Sequence, residues 1–308
     1  MGKLVLIDGN AVLHRAYHAL PPLTTKKGEP INAVYGLVSM LLRVIQDMKP
    51  THIAVCFDTP EPTFRHKEFP EYQAQRPKTA DELSSQFEKA KRVIEAFGIP
   101  IFEKAGYEAD DVLGTLALQV SEKSNVKSQM SKVDDVVIVT GDRDILQLVN
   151  DYTKVYLMGR GMTEGKLYAE KDVVEKMGIE PAAVADYKAL VGDPADNYRG
   201  VSGIGPKTAI ALLQKYKNLD EIYTHLNEVT PKIREKLRGA KEAAHLSLKL
   251  ARIVKDVGVS LDLENCGRWD VDSQRVLDLF TEFGFRTLTE RVKKVGQGLD
   301  KEKQMALL

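Results

Sequence analysis

From residue 3 to about residue 170 the chain alternates short apolar runs with longer stretches of helical spacing, and few folds accept that rhythm. Residues 3–7, 52–57, 99–102, 136–140 and 155–158 read as buried strands. Between them, residues 31–48, 81–97 and 109–123 carry apolar side chains at helical spacing. Such alternation predicts an α/β domain with a mostly parallel sheet and helices on both faces. From about Lys171 the strand signal stops, and helical patterns at 171–177, 181–191, 206–216, 220–226 and 240–254 follow between Gly, Pro and Asp turns. The division this suggests is an α/β core over 1–178 and a helical region over 179–295. The polar, glycine-containing stretch 296–308 is expected to be a flexible tail.

Composition removes several classes of protein. At 43% hydrophobic and 29% charged residues, the 308-residue chain has the make-up of an ordinary globular protein. No apolar stretch is long enough to span a bilayer, and the first apolar run meets Asp8 too early for a signal peptide. Gly2 follows Met1, but Leu6 stands where a myristoylation signal needs Ser or Thr. Of the two cysteines, Cys56 lies in the apolar run 53–57, which points to a buried thiol, a reducing compartment and a cytoplasmic location.

Lys and Arg number 44 and Asp and Glu 44, so the formal charge is zero, but its distribution is uneven. Lys232, Arg234, Lys236, Arg238, Lys241, Lys249, Arg252 and Lys255 form one basic stretch. Arg65, His66, Lys67, Arg76 and Lys78 form another, interleaved with Phe64, Phe69 and Tyr72. Taken alone, each run reads more readily as a solvated charged face. The second run lies in residues 58–80, a proline-bearing connection too long and irregular for a simple βα loop, and is expected to contact substrate.

Acids collect where the strands end. Asp8 ends the first apolar run and Asp58 the second, while Asp142 and Asp144 follow the fourth. In an open α/β sheet the carboxyl ends of strands share one edge, and ligands bind in the crevice there. Glu108, Asp110 and Asp111 open a helix on that same edge, with Glu108 and Asp111 on one face. Singly, each has a bland explanation in a turn or a helix's first turn. Together they repel by several kcal/mol per pair at ~4 Å, so a fold gathers them only around cations. All-oxygen donors favour Mg²⁺ or Mn²⁺ over zinc. His14 and His18 have i,i+4 spacing without a zinc-protease context and are not expected to be ligands. Asp193 and Asp196 form a second acidic element, although Asp193 followed by Pro194 also suits a helix cap.

Residues 200–209 superficially resemble a Walker A loop, but Pro206 separates Gly205 from Lys207 and no strand precedes them. Gly203 and Gly205 between two helical patterns instead suit a helix–hairpin–helix at about 197–216. There the backbone, Lys207 and Thr208 can approach a phosphate without reading base sequence.

The sequences around Asp8, Asp58, Arg65, Glu108–Asp111, Asp142–Asp144, Asp193–Asn197 and the glycine hairpin occur in the order seen in the 5′-nuclease domain of bacterial DNA polymerase I. The chain thus resembles the flap endonuclease superfamily over about residues 3–290. The resemblance implies a PIN-like core, a helical arch at about 58–97, and a duplex-gripping hairpin with a K⁺ ion. It implies that Asp8, Asp58, Glu108, Asp110, Asp111, Asp142, Asp144, Asp193 and Asp196 hold two or more Mg²⁺ or Mn²⁺ ions. Arg15 and Lys188 match its active-site cations, joined by Arg76. Arg65, Lys67, Tyr72, Gly203, Gly205, Lys207 and Thr208 would contact DNA, with Tyr72 and Phe69 stacking on an unpaired base. One position departs: Gln73 stands where the family usually has lysine, which puts part of the expected charge stabilisation in question.

The activity so implied is two-metal hydrolysis of DNA at 5′ flaps, nicks and free 5′ ends by a monomer, leaving 5′-phosphate and 3′-hydroxyl. Two rivals share the fold: a branched-DNA-binding protein without strong catalysis, and a PIN-type ribonuclease. No polymerase region is present, so the chain reads as a stand-alone nuclease or a domain of a longer protein. Gln304, Met305, Leu307 and Leu308 resemble the short peptides that dock on bacterial sliding clamps, with 296–303 as tether.

Overall fold

The computed structural model describes residues 2–125, 133–159 and 165–306. Its main sheet contains β1 (Lys3–Asp8), β2 (His52–Cys56), β3 (Ile101–Phe102), β4 (Asp135–Thr140), β5 (Thr153–Met158) and β6 (Gly165–Tyr168). They run in the order β3-β2-β1-β4-β5-β6, parallel throughout except for β6. β6 escapes the sequence pattern because Gly165, Lys166 and Leu167 are exposed at the sheet edge, where no apolar alternation is required.

The strands read as continuous apolar runs because both faces of the sheet are covered. Leu4, Leu6, Ala54, Cys56, Val136 and Ile138 enter one core, and Val5, Ile7, Ile53, Val55, Val137 and Val139 enter the other. On the second face lie α1 (Gly9–Ala19), α2 (Asn32–Met48) and α4 (Asp81–Ala96), with α3 (Phe64–Glu68) in the irregular connection before α4. The first face receives α5 (Ala109–Asn125). Helix α4 buries Leu83, Ala90, Val93 and Ile94, so the part of the expected arch beyond residue 80 is a core helix.

The helical region comprises α6 (Glu170–Met177), α7 (Val184–Val191), α8 (Pro206–Tyr216), α9 (Leu219–Thr224), α10 (Pro231–Gly239), α11 (Lys241–Ala251) and α12 (Leu263–Cys266). Its Val184, Leu190, Leu213 and Leu248 belong to the same core as Leu4 and Ile138. A two-residue ladder, β7 (Gly192–Asp193) against β8 (Tyr198–Arg199), joins α7 to the glycine hairpin.

The last two helices, α13 (Gln274–Phe283) and α14 (Arg286–Ala306), leave that region and return to the opposite face. Phe280, Phe283, Leu288 and Val292 pack with Val5, Ile7 and Phe57, and the Phe280 ring meets Phe97 edge-on at 6.1 Å. The expected 179–295 unit is therefore split between the two faces. The expected flexible tail is also corrected: α14 continues through Ala306, making 296–303 helical instead of an extended tether. Gln304 and Met305 are exposed at its end, and the Leu307 and Leu308 of the clamp motif lie outside the described residues. No described helix is long and apolar enough to cross a membrane.

Because Phe280 is 1% exposed, Phe280→Ala is expected to lower stability by about 3–5 kcal/mol. Denaturant unfolding checks this, and a loss below about 1 kcal/mol would mean that α13 is not part of the core.

Candidate active site

The carboxyl edge of the sheet opens into a cavity of about 660 Å³ lined by Asp8, Asp58, Glu108, Asp110, Asp142, Asp144 and Asp196, together with His14, His66, Tyr72, Gln73 and Arg76. It sits where the strand order reverses between β1 and β4, the usual ligand crevice of such sheets. Backbone and hydroxyl donors orient the acids. Asp8 caps α1 by accepting from Ala11 N–H at 2.9 Å, and its other oxygen accepts from the Thr140 hydroxyl at 2.7 Å. Thr140 Oγ1 accepts from Asp142 N–H at 3.0 Å, and Asp142 accepts from Asp144 N–H at 2.8 Å. Asp58 accepts from Ala109 N–H at 2.7 Å, which ties the end of β2 to the helix carrying Asp110. Asn10 accepts from Asp58 N–H at 3.0 Å. Asn10 and Thr140 have roles that the sequence reading did not assign, although both stand within the strand-end motifs.

Crowding shows in the acidities. Burial first, then Asp58 and Asp142, push Asp8 up to about 7. Burial, then Asp111 and Asp58, push Glu108 up to about 7 despite Arg65. Burial and Asp142 raise Asp144 to about 7 against the pull of Lys188. Burial, then Asp142 and Asp8, hold Asp110 well above the usual carboxyl range. Burial also raises Asp58, whose outer surface is open to solvent.

A second group completes the wall. Asp144, Asp193 and Asp196 each offer an oxygen within 4.8 Å of the others. Lys188 on α7 pairs with both Asp144 and Asp193. Burial pushes Asp193 up, but the Lys188 ammonium more than offsets it and the carboxyl lies below its ordinary value. Asp196 is latched to the irregular connection. Its Oδ1 accepts from Arg76 Nη2 at 2.6 Å and Gln73 Nε2 at 3.1 Å, and its Oδ2 lies 3.3 Å from the Tyr72 hydroxyl. Gln73 N–H donates to the Asp196 carbonyl at 3.1 Å, and Asn197 Nδ2 donates to the Glu71 carbonyl at 2.8 Å. Residues 71–76 therefore span the cavity and fasten to the far wall.

Several expected residues take other places. Asp111 is fully buried, and its oxygens face Arg65 at 2.7 and 2.9 Å. It also accepts from Val254 N–H at 2.9 Å and Glu108 N–H at 3.1 Å, so its oxygens are spent on structure and it does not line the cavity. Arg65 is 2% exposed and donates to the Leu250 and Arg252 carbonyls as well, which corrects its expected role as a DNA contact. Tyr72 is 4% exposed, with its hydroxyl 3.4 Å from Glu108, and offers no open ring for base stacking. Lys67 is exposed. Arg15 donates to the Gly159 carbonyl, and a Cβ built on Gly141, beside Asp142, would stand 3.2 Å from its guanidinium.

The hairpin adjoins the acidic loop through backbone. A Cβ on Gly192, which has φ +82°, would stand 2.5 Å from Gly200 N, so the two strands of this ladder touch without side chains between them. Gly203, with φ +76°, Gly205 and Lys207 are exposed, Thr208 is half-buried, and Pro206 opens α8. Where a K⁺ ion was expected, Lys236 already donates to the Gly203 carbonyl at 2.8 Å. Lys232, Arg238, Lys241, Arg252 and Lys255 are exposed in the helical region.

Family models agree with this arrangement. The model described as "5'-3' exonuclease, N-terminal resolvase-like domain" matches residues 3–178, and "5'-3' exonuclease, C-terminal SAM fold" matches residues 179–274. The chain belongs to the 5′-3′ exonuclease family. Among relatives of this family, DNA polymerase I of Bacillus caldotenax is 38% identical over 305 residues, which are 99% of this chain and 34% of that protein. DNA polymerase I of Chloroflexus aurantiacus is 41% identical over 297 residues, or 95% and 30% of the two chains. The chain thus spans about a third of the length of these relatives. A bacteriophage T5 flap endonuclease, solved as a pseudo-enzyme-product complex with DNA and metal ions, superposes with a TM-score of 0.65 at 20% identity, covering 95% of this chain and 97% of that one. Human GEN1 in complex with Holliday junction DNA gives 0.58 at 17%, covering 92% and 67%. At these identities the superpositions show the shared fold.

Two outcomes follow from the site's electrostatics. Arg65→Ala leaves Asp111 as an unpaired buried charge and is expected to cost about 3–5 kcal/mol, whereas Lys67→Ala leaves stability unchanged. Equal melting temperatures for the two variants would contradict the buried-pair assignment. The second outcome concerns pH. Asp8, Glu108 and Asp144 bind a proton more tightly in the metal-free fold than in the unfolded chain, where carboxyls titrate near about 4. Their ionisation therefore opposes folding as pH rises from about 4 through about 7. Calorimetry in EDTA should give a lower melting temperature at pH 8 than at pH 5.5, with Mg²⁺ restoring it at pH 8. A melting temperature that rises over this range would refute the account.

Proposed function

We propose that this chain hydrolyses DNA phosphodiester bonds at 5′ flaps, nicks and free 5′ ends, as a monomer using at least two Mg²⁺ or Mn²⁺ ions. The observation that carries this reading is the single cavity in which strand-end carboxylates meet a bridging segment, beside an exposed glycine hairpin. The donor set fits hard divalent cations: Asp144, Asp193 and Asp196 present mutually close oxygens, and Asp8, Asp110 and Asp142 share a second, under-neutralised part of the wall. Bound there, the ions would supply Lewis-acid neutralisation and acidify the attacking water.

The chain's own residues do the rest. Exposed backbone N–H groups of the hairpin, with Lys207 and Thr208, hold the duplex phosphates without reading bases. The cations of α10 and α11 extend that contact. Residues 71–76 cover the cavity, so a strand reaching the acids passes beneath them. Lys188 and Arg76 stand against the carboxylates, where a scissile phosphate entering the site exchanges for Asp144 and Asp196 as their anionic partner. Arg15, beside Gly141, would add a further cation next to the Asp142 turn. The Gln73 departure is compensated one turn on. Arg76 N–H donates to the Gln73 carbonyl at 2.9 Å, and both side chains reach the same Asp196 oxygen, so the cation enters from Arg76.

Asp142→Ala or Asp110→Ala should abolish cleavage while leaving 5′-flap DNA binding within a few fold, because phosphate contacts elsewhere carry the affinity. The decisive assay compares matched 5′-flap DNA, 5′-flap RNA and blunt duplex with Mg²⁺ or EDTA, and full activity in either variant refutes the assignment. Arg76→Ala should lower the single-turnover rate by about 10²-fold. Gln73→Lys should change it by less than Arg76→Ala does, and the reverse order would return the cationic role to position 73.

A further inference from the structure

Few buried polar side-chain atoms among the described residues lack a hydrogen-bond partner, and one of them is the hydroxyl of Tyr198. The residue is 4% exposed, and it lies on β8 directly opposite Asp193 on β7. Residues facing each other in an antiparallel pair project to the same side of the ladder. Tyr198 therefore shares the side from which Asp193 joins Asp144 and Asp196, whose oxygens lie within 4.8 Å of one another. A phenol is protonated at neutral pH and is a hydrogen-bond donor there.

The carboxylate group itself is already engaged. Lys188 takes Asp144 and Asp193, while Arg76, Gln73 and Tyr72 take Asp196. None of these bonds involves the Tyr198 hydroxyl, which reaches no protein partner. Buried hydroxyls are rarely left so, and the exceptions mark a missing partner. Oxygens coordinated to a cation are acceptors of the required kind, and outer partners of this sort tune metal affinity.

We propose that Tyr198 is a positioning residue for a divalent cation held by Asp144, Asp193 and Asp196, its hydroxyl donating to an oxygen of that ion's coordination shell. The inference rests on the reading that these carboxylates hold a cation, and it adds a residue that the acidic motif does not contain. Because the hydroxyl has no protein partner, its removal leaves the metal-free fold intact.

The test is melting of the full chain without DNA, titrated with Mn²⁺, for the unaltered protein, Tyr198→Phe and Asp193→Asn. In EDTA, Tyr198→Phe should melt at or above the unaltered protein. Its midpoint for Mn²⁺-dependent stabilisation should rise by about tenfold. Asp193→Asn should weaken the response at least as much. If Tyr198→Phe titrates like the unaltered protein while Asp193→Asn does not, the tyrosine assignment is overturned and the cation site stands. If Asp193→Asn also titrates normally, the cation reading falls and the proposal with it. A Tyr198→Phe protein that melts lower in EDTA assigns the hydroxyl to the fold, which also overturns the proposal.

Discussion

Carboxylates gathered at one edge of a parallel sheet repel one another, and at ~4 Å each pair opposes the fold by about 4 kcal/mol at an effective dielectric of 20. The parallel topology makes the gathering unavoidable, because Asp8, Asp58 and Asp142 all stand where strands end. What varies is how the charge is answered. Lys188 bridges Asp144 and Asp193, Arg76 reaches Asp196, and hydroxyl and backbone donors hold Asp8, Asp58 and Asp142 in place. The answer is partial, as the weakened acidity of Asp8, Glu108, Asp110 and Asp144 shows. A cation placed among these carboxylates would relieve a cost already present in the fold.

Arg65 and Asp111 illustrate a different use of the same residue types. Their paired geometry is buried, and the remaining donors and acceptors of both side chains are satisfied by the Leu250 and Arg252 carbonyls and by the N–H groups of Val254 and Glu108. The pair joins the base of the bridging segment, the acidic helix α5 and the turn after α11. Its value lies in orientation: Arg65 also stands 3.3 Å from Glu108, so the cavity wall moves if the pair is lost.

The acidic loop and the glycine hairpin are linked by main chain. Gly192 and Gly200 approach so closely that neither tolerates a Cβ, and β7 and β8 carry Asp193 and Tyr198 on that link. Contacts on the exposed hairpin thereby reach the carboxylates through a short, stiff path. On the other side, the contacts of Gln73, Arg76 and Tyr72 with Asp196 give the bridging segment a hold on the same loop.

Much of this was legible in the residues themselves. Continuous apolar runs separated by helical spacing specify a parallel sheet covered on both faces, and strand-end acids then share an edge, because side-chain period and strand direction are local properties. The glycine hairpin was legible for the same reason, since Gly203 adopts a backbone conformation few other residues accept. Sequence alone did not separate Asp111 from Asp110, adjacent acids in one helical turn, because only the approach of Arg65 from another element decides which is neutralised. Nor did it show that α13 and α14 return to the second face of the sheet, or that the tail is helical, since amphipathic helices carry no label for the face they will cover. The unpartnered hydroxyl of Tyr198 had no sequence signal at all. A donor lacks an acceptor only with respect to everything packed around it, and that is settled by long-range packing.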